Sequence, residues 1–163
     1  MKSINNFFSK QSIILLFGSG VSLLAGTLIY VLFRTTSLRI FSWSELVGIR
    51  GLLNKSREYS ISYIKYVPDW ILFSLPDGLW IFSYICFTLY IWKGFITVNN
   101  IVWFIIVPFI AIGSEILQLF QLLPGTFDIT DLLFYLIGFI LPFIIFKKSI
   151  IYKFKNQNYE QTF

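Results

Sequence analysis

Histidine is absent from this chain, and cysteine occurs once, as Cys86 inside an apolar run. Ser-His-Asp and Cys-His catalysis and histidine-based metal sites are thereby excluded. One cysteine builds no disulfide framework and makes a poor start for a zinc site. Charge is scarce as well: Asp, Glu, Lys and Arg make up 13% of the sequence, about half the usual share. The net charge of +5 does not point to nucleic acid, because no basic stripe interleaves with aromatics on a polar element. Any chemistry must use carboxylates, amides, hydroxyls, lysine or arginine.

Apolar residues are what the chain has in excess, at 56% with a mean hydropathy of +0.75. A soluble fold of 163 residues leaves too much surface in water to hide them. The expected architecture is all-α, an integral membrane bundle of about four transmembrane helices forming a single membrane domain, 1–163. Spans are expected at about 11–33, 74–92, 101–123 and 129–146, with a polar loop at 34–68 and a tail at 147–163.

The first span carries no charge, is longer than a signal core and is followed by no A-x-A site, so it reads as a retained helix. Gly18, Ser22 and Gly26 recur every four residues along it, a small-residue stripe suited to close helix contact. In the loop, Ser42 and Glu45 have capping-box spacing ahead of Leu46, Ile49, Leu52 and Leu53. That pattern fits either an interfacial amphipathic helix or a partly helical solvated loop. Ser74 reads as the N-cap of the second span, with Pro76 in its first turn and Asp77 at the third position. Residues 93–100 read as a short polar turn, Pro108 as a kink, and Pro124-Gly125 as the stop of the third span.

Four spans put both termini on one side, with Lys2, Lys10, Lys93, Lys147, Lys148, Lys153 and Lys155. The loop side holds Arg34, Arg39, Arg50, Lys55, Arg57 and Lys65. The narrow excess favours cytoplasmic termini in a multi-pass protein of the cell inner membrane.

The acids are distributed unevenly. Glu45 and Glu58 fall in the loop and Glu160 in the tail. Asp69, Asp77, Glu115, Asp128 and Asp131 all fall at the long-loop face when the chain is followed up and down. A carboxylate such as Glu115 inside an apolar span is costly and is by default a functional-site hypothesis. Gln118 and Gln121 extend its face by successive turns. The bland reading is that Glu115 only joins helices, while Asp128 caps the last span and Asp131 sits in its first turn.

Glu115-Ile-Leu-Gln118, the turn Phe127-Asp128-Ile-Thr-Asp131 and Gly138 resemble the second half of the VanZ-like membrane protein family. The resemblance covers 68–141, a little under half the chain. It departs where the family's turn arginine would fall, near Gly125, at Tyr135 in place of an asparagine, and at Gly78 after Asp77. The resemblance implies a cell-envelope membrane protein and supplies no reaction, while the richness in Ile, Phe, Lys, Asn and Tyr suggests an AT-rich bacterial genome. It carries over Glu115, Gln118 and Asp131, and more weakly Asp77 and Asp128.

Three functions follow. The first is a carboxylate and amide pocket binding a lipid headgroup or an envelope precursor. Glu115 and Asp131 would be its catalytic groups, with Glu115 as acid or base, and Gln118, Asp77 and Asp128 would contact substrate. The suggested cofactor is a divalent cation such as magnesium on Asp128 and Asp131, since hard cations take oxygen ligands. The second is a non-catalytic accessory subunit docking a partner membrane protein through the Gly18-Ser22-Gly26 stripe. The third is a proton or ion transporter with Glu115 on its path. In all three the surroundings are membrane lipids.

Overall fold

The computed structural model describes residues 2–34, 48 and 50–153, with side chains from residue 11 onward. In chain order it forms α1 (Lys2–Phe33), α2 (Arg50–Ile61), α3 (Asp69–Phe73), α4 (Leu75–Ile91), β1 (Phe95–Thr97), α5 (Ile101–Leu119), α6 (Ile129–Ile145) and β2 (Ile151–Lys153). Short 3-10 turns occupy Ile64–Tyr66 and Lys147–Ser149. The fold is all-helical, as expected, apart from the two short strands. Gln11–Phe33 of α1 and all of α5 are long and apolar enough to cross a membrane, whereas α4 and α6 are apolar but only 17 residues each.

Helix α4 is the axis of the bundle, packed between α1 and α6. Small residues allow both contacts. A Cβ on Gly138 would lie 2.2 Å from the Gly78 carbonyl oxygen, and one on Gly78 would lie 2.8 Å from that of Phe134. The two backbones therefore touch without intervening side chains. On the opposite flank, Gly26 faces the Pro76 carbonyl and the Trp80 indole. Ser83 donates to the Ser19 carbonyl at 2.8 Å, and the two hydroxyls lie 3.1 Å apart. The small-residue stripe of α1 is thus turned inward, with Gly26 against α4 and Gly18 towards Phe146. Leu15, Ile81, Ile85, Leu89, Ile96 and Phe104 form the buried apolar core. Phe17, Leu24, Phe109, Ile110 and Ile144 stay exposed on the outside.

Several local expectations are corrected. Ser74 does not cap α4: it has αR geometry, makes no capping bond, and its hydroxyl is buried without a partner. Hydrogen bonding runs through it instead, Ser74 N to Trp70 O and Gly78 N to Ser74 O, so α3 leads almost directly into α4. Pro76 explains the interruption, since it has no N–H to offer Leu72. Helix α5 stops at Leu119 rather than near 123. Gln121 adopts φ 58°, and the bonds Leu122 N to Leu117 O and Gln121 N to Gln118 O close a Schellman motif. The same closure ends α4 at Lys93 and Gly94.

The turn at 93–100 and the start of the tail are not simply polar. Phe95–Thr97 pairs in parallel with Ile151–Lys153. Buried Asn100 accepts from Thr97 N and donates to Phe95 O, each at 2.8 Å, which knots the turn. The Ser42–Glu45 capping box lies outside the described residues. The described loop helix, α2, is anchored by Arg57, which is buried and donates to the carbonyls of Val31 and, at 2.6 Å, Arg34. An arginine here satisfies carbonyls at the end of α1 and suits the negative end of its dipole.

Gly138→Ala is expected to lower stability by about 1–3 kcal/mol, the usual cost of forcing a methyl into a packed contact. Gly20→Ala, with nothing within 4 Å of its added Cβ, is expected to be neutral or slightly stabilising. Melting temperatures check the pair, and equal effects would contradict the backbone contact.

Candidate functional site

The ends of four helices meet where α4 crosses α6. Asp77 lies in the first turn of α4, one residue before Gly78. Asp131 and Tyr135 lie one turn apart on α6, with Gly138 the next turn on. Because Gly78 and Gly138 are in backbone contact, Asp77 is held against this face. The Tyr135 phenol lies beside its carboxylate, and the charges of Asp131, Arg34 and Glu115 act on it. Trp70 of α3 stacks on Phe134, centroids 5.7 Å apart, and closes one side.

Glu115 is 5% exposed, the most enclosed of the described acids. Its Oε2 accepts a hydrogen bond from the Asp128 backbone N at 3.3 Å, joining the late turns of α5 to the entry of α6. The charges of Asp131 and Asp128 act on it. Asp131 has one carboxylate oxygen buried without a hydrogen-bond partner.

Asp128 is the N-cap of α6, extended at φ −127°, and its Oδ1 accepts from the Thr130 backbone N at 2.8 Å and from the Thr130 hydroxyl. These bonds, the hydroxyl's foremost, hold its carboxyl below the usual carboxylate range. Gln118 packs under the turn, with its carboxamide against Gly125, where φ is +139° and a Cβ would lie 2.8 Å from Gln118 Cδ. Gln121 does not continue the Glu115 face, because α5 has already ended in the Schellman motif. Asp69 stands exposed at the start of α3. Asp77, Glu115 and Asp131 are thus brought together, Asp128 adjoins them through its backbone, and Gln118 braces the turn.

Two members of the cluster carry no sequence motif. Arg34, directly after α1, reads as an ordinary loop arginine. Its guanidinium lies over the Phe73 and Tyr30 rings, at 5.1 and 5.5 Å, and its charge acts on Asp77. Its Nε is buried without a partner. The usable signal is position: a cation ending an apolar span turns back along it. Tyr135 is one more aromatic in an apolar helix, distinguished only by standing four residues after Asp131.

Among the described residues, no group of three or more His, Cys, Asp or Glu is arranged to hold a metal ion. Asp128 is occupied with capping, so the pairing of Asp128 with Asp131 around magnesium finds no geometric support. What the cluster offers is carboxylates to face a cationic group, a guanidinium to face an anionic one, and a phenol between them. Compared with known proteins, the chain matches no family model, no curated sequence and no solved structure.

Asp128 has a depressed carboxyl in the folded chain, so its stabilisation is complete above the unfolded value, about 3.9, and is lost as pH falls through the folded one. Melting temperature is expected to drop on acidification below about pH 4. Asp128→Asn keeps the cap and flattens that slope, while Asp128→Ala costs about 1 kcal/mol at neutral pH. Identical acid slopes in wild type and Asp128→Asn would remove Asp128 as the source.

Proposed function

We propose that the chain is a multi-pass membrane protein of VanZ-like type, with α1, α4, α5 and α6 crossing the bilayer. Its mixed-charge site at the long-loop face binds a lipid headgroup or an envelope precursor. The observation that carries the site is the convergence of Arg34, Asp77, Glu115, Asp131 and Tyr135 from four helices at one end of an apolar bundle. Carboxylates inside an apolar bundle are expensive to keep and are functional by default. The bilayer reading is supported by the large apolar side chains left outside on α1, α5 and α6, which hydrocarbon would cover. Helix α3, continuous in hydrogen bonding with α4, lengthens that span towards the ~30 Å required.

The site's chemistry favours a ligand carrying both an amine and a phosphate. The amine would face Asp77 and Asp131, and the phosphate Arg34. Glu115, enclosed and hydrogen-bonded to the Asp128 amide, is the group for proton exchange if the site also does chemistry.

The accessory-subunit reading draws less support, because Gly18 and Gly26 of the stripe face Phe146 and α4 rather than an open surface. Transport draws less as well. The core beyond the cluster is apolar, and Ser19, Ser22 and Ser83 are occupied in hydrogen bonds along α1 or between α1 and α4.

Two experiments test this. Carbonate washing is expected to leave the protein in the membrane, and release into the wash would end the bilayer reading. Phosphatidylethanolamine added to the purified protein is expected to raise its melting temperature. Arg34→Gln and Asp77→Asn should weaken that response about tenfold, or 1.4 kcal/mol. Variants that melt lower but keep an undiminished lipid response would make the cluster mere structural glue.

A further inference from the structure

The opposite end of the bundle is built differently. Gly94, at φ +76°, lies so close to the Ser149 carbonyl that a Cβ would be 1.9 Å from it, and Ile151 N donates to Gly94 O at 2.9 Å. This contact seats β2 beside β1 and gathers basic residues that are distant in sequence. Lys93 precedes Gly94, Lys147 and Lys148 open the 3-10 turn beside Ser149, and Lys153 lies over the Phe95 ring at 5.0 Å. All four lysines are exposed. Among the described residues every acid lies on α2, on α3, early in α4, late in α5 or at the entry to α6, and none lies on this ribbon. Among the described residues the patch is therefore uncompensated.

Beside it, between the end of α4 and the start of α5, runs an apolar groove of about 290 Å³ lined by Tyr84, Phe87, Thr88, Ile91, Trp92 and Trp103. The Tyr84 hydroxyl donates to the Trp103 carbonyl and ties the two walls together. The groove is small for a drug-sized ligand, and its lining is almost wholly apolar. Trp92 ends α4 immediately before Lys93, so groove and lysine patch adjoin.

We propose that this end of the bundle binds an anionic phospholipid, with its headgroup phosphate on the lysines around β1 and β2 and an acyl chain in the groove between α4 and α5. Charge complementarity selects the headgroup, because clustered lysines at a membrane surface attract anionic lipid. The adjoining apolar groove distinguishes a lipid from a free anion, which would use the lysines alone. The site is separate from the mixed-charge cluster at the other end and rests only on the bilayer reading proposed above.

The test uses the full chain in neutral detergent, with phosphatidylglycerol or phosphatidylcholine added to the micelles and retained lipid counted by native mass spectrometry. Wild type is expected to hold phosphatidylglycerol about tenfold more tightly than phosphatidylcholine. The four-lysine variant Lys93→Gln, Lys147→Gln, Lys148→Gln, Lys153→Gln should bring the two lipids level. Ile91→Trp, which fills the groove, should weaken both lipids while leaving the preference between them. Melting temperatures of the variants confirm that they are folded. Equal retention of the two lipids by wild type, or a preference that survives the four-lysine variant, overturns the proposal. So does full displacement of phosphatidylglycerol by inorganic phosphate, which would make the patch a simple anion site. Failure here in a protein that still resists carbonate leaves the bilayer reading standing, whereas release by carbonate removes both.

Discussion

Gly78 and Gly138 meet backbone against backbone, and the rest of the bundle is arranged around that contact. Neither position tolerates a Cβ without something moving. Close approach of this kind trades side-chain area for dispersion between backbones, the mode available to helices surrounded by apolar material. It sets α4 so deeply against α6 that Asp77 faces Asp131 and Tyr135. It leaves the other flank of α4 to the small-residue stripe of α1, where serine hydroxyls replace large side chains. Arg57 of α2 then closes the end of α1 and holds the carbonyl of Arg34 beside the cluster.

The polar end of the bundle is kept at a cost. Asp131 Oδ1, Arg34 Nε and the Ser74 hydroxyl are buried there without partners. An unsatisfied buried group costs about 1–3 kcal/mol, so a fold selected for stability alone would not hold three near one another. Partial compensation is visible in the Asp128 amide on Glu115 and in the charge of Arg34 near Asp77. The remaining capacity is what a polar ligand would use. The ribbon end shows the complementary design: Asn100 satisfies the turn internally, and the lysines are left to the outside.

Much of the local structure was legible because its causes are local. The Asp128 cap follows from an aspartate two residues before the amide it accepts. The helical character of 101–119 follows from a long apolar run broken by polar side chains only at Ser114, Glu115 and Gln118. Ser74 misled for a reason that is also physical: Ser-x-Pro-Asp has the composition of a helix start, yet backbone hydrogen bonding runs through Ser74 from α3 into α4. Gln121 in a left-handed conformation ended α5 where no glycine marked the stop. The β1–β2 pair was invisible because three-residue strands distant in sequence have no periodicity to read.

By itself, the sequence determined an all-helical, apolar chain, the N-cap of α6, and the tendency of acids to lie at the ends of helices that run back and forth. Those properties depend on neighbours a few residues apart. Only the tertiary structure decided that Asp77, Glu115 and Asp131 share a site with Arg34 and Tyr135, that the α1 stripe is used internally, and that the tail returns to pair beside the turn at 93–100. Each of these depends on which backbones can approach to contact distance. That is settled by Gly78 against Gly138 and Gly94 against Ser149, pairs whose members are far apart in the chain and unremarkable alone.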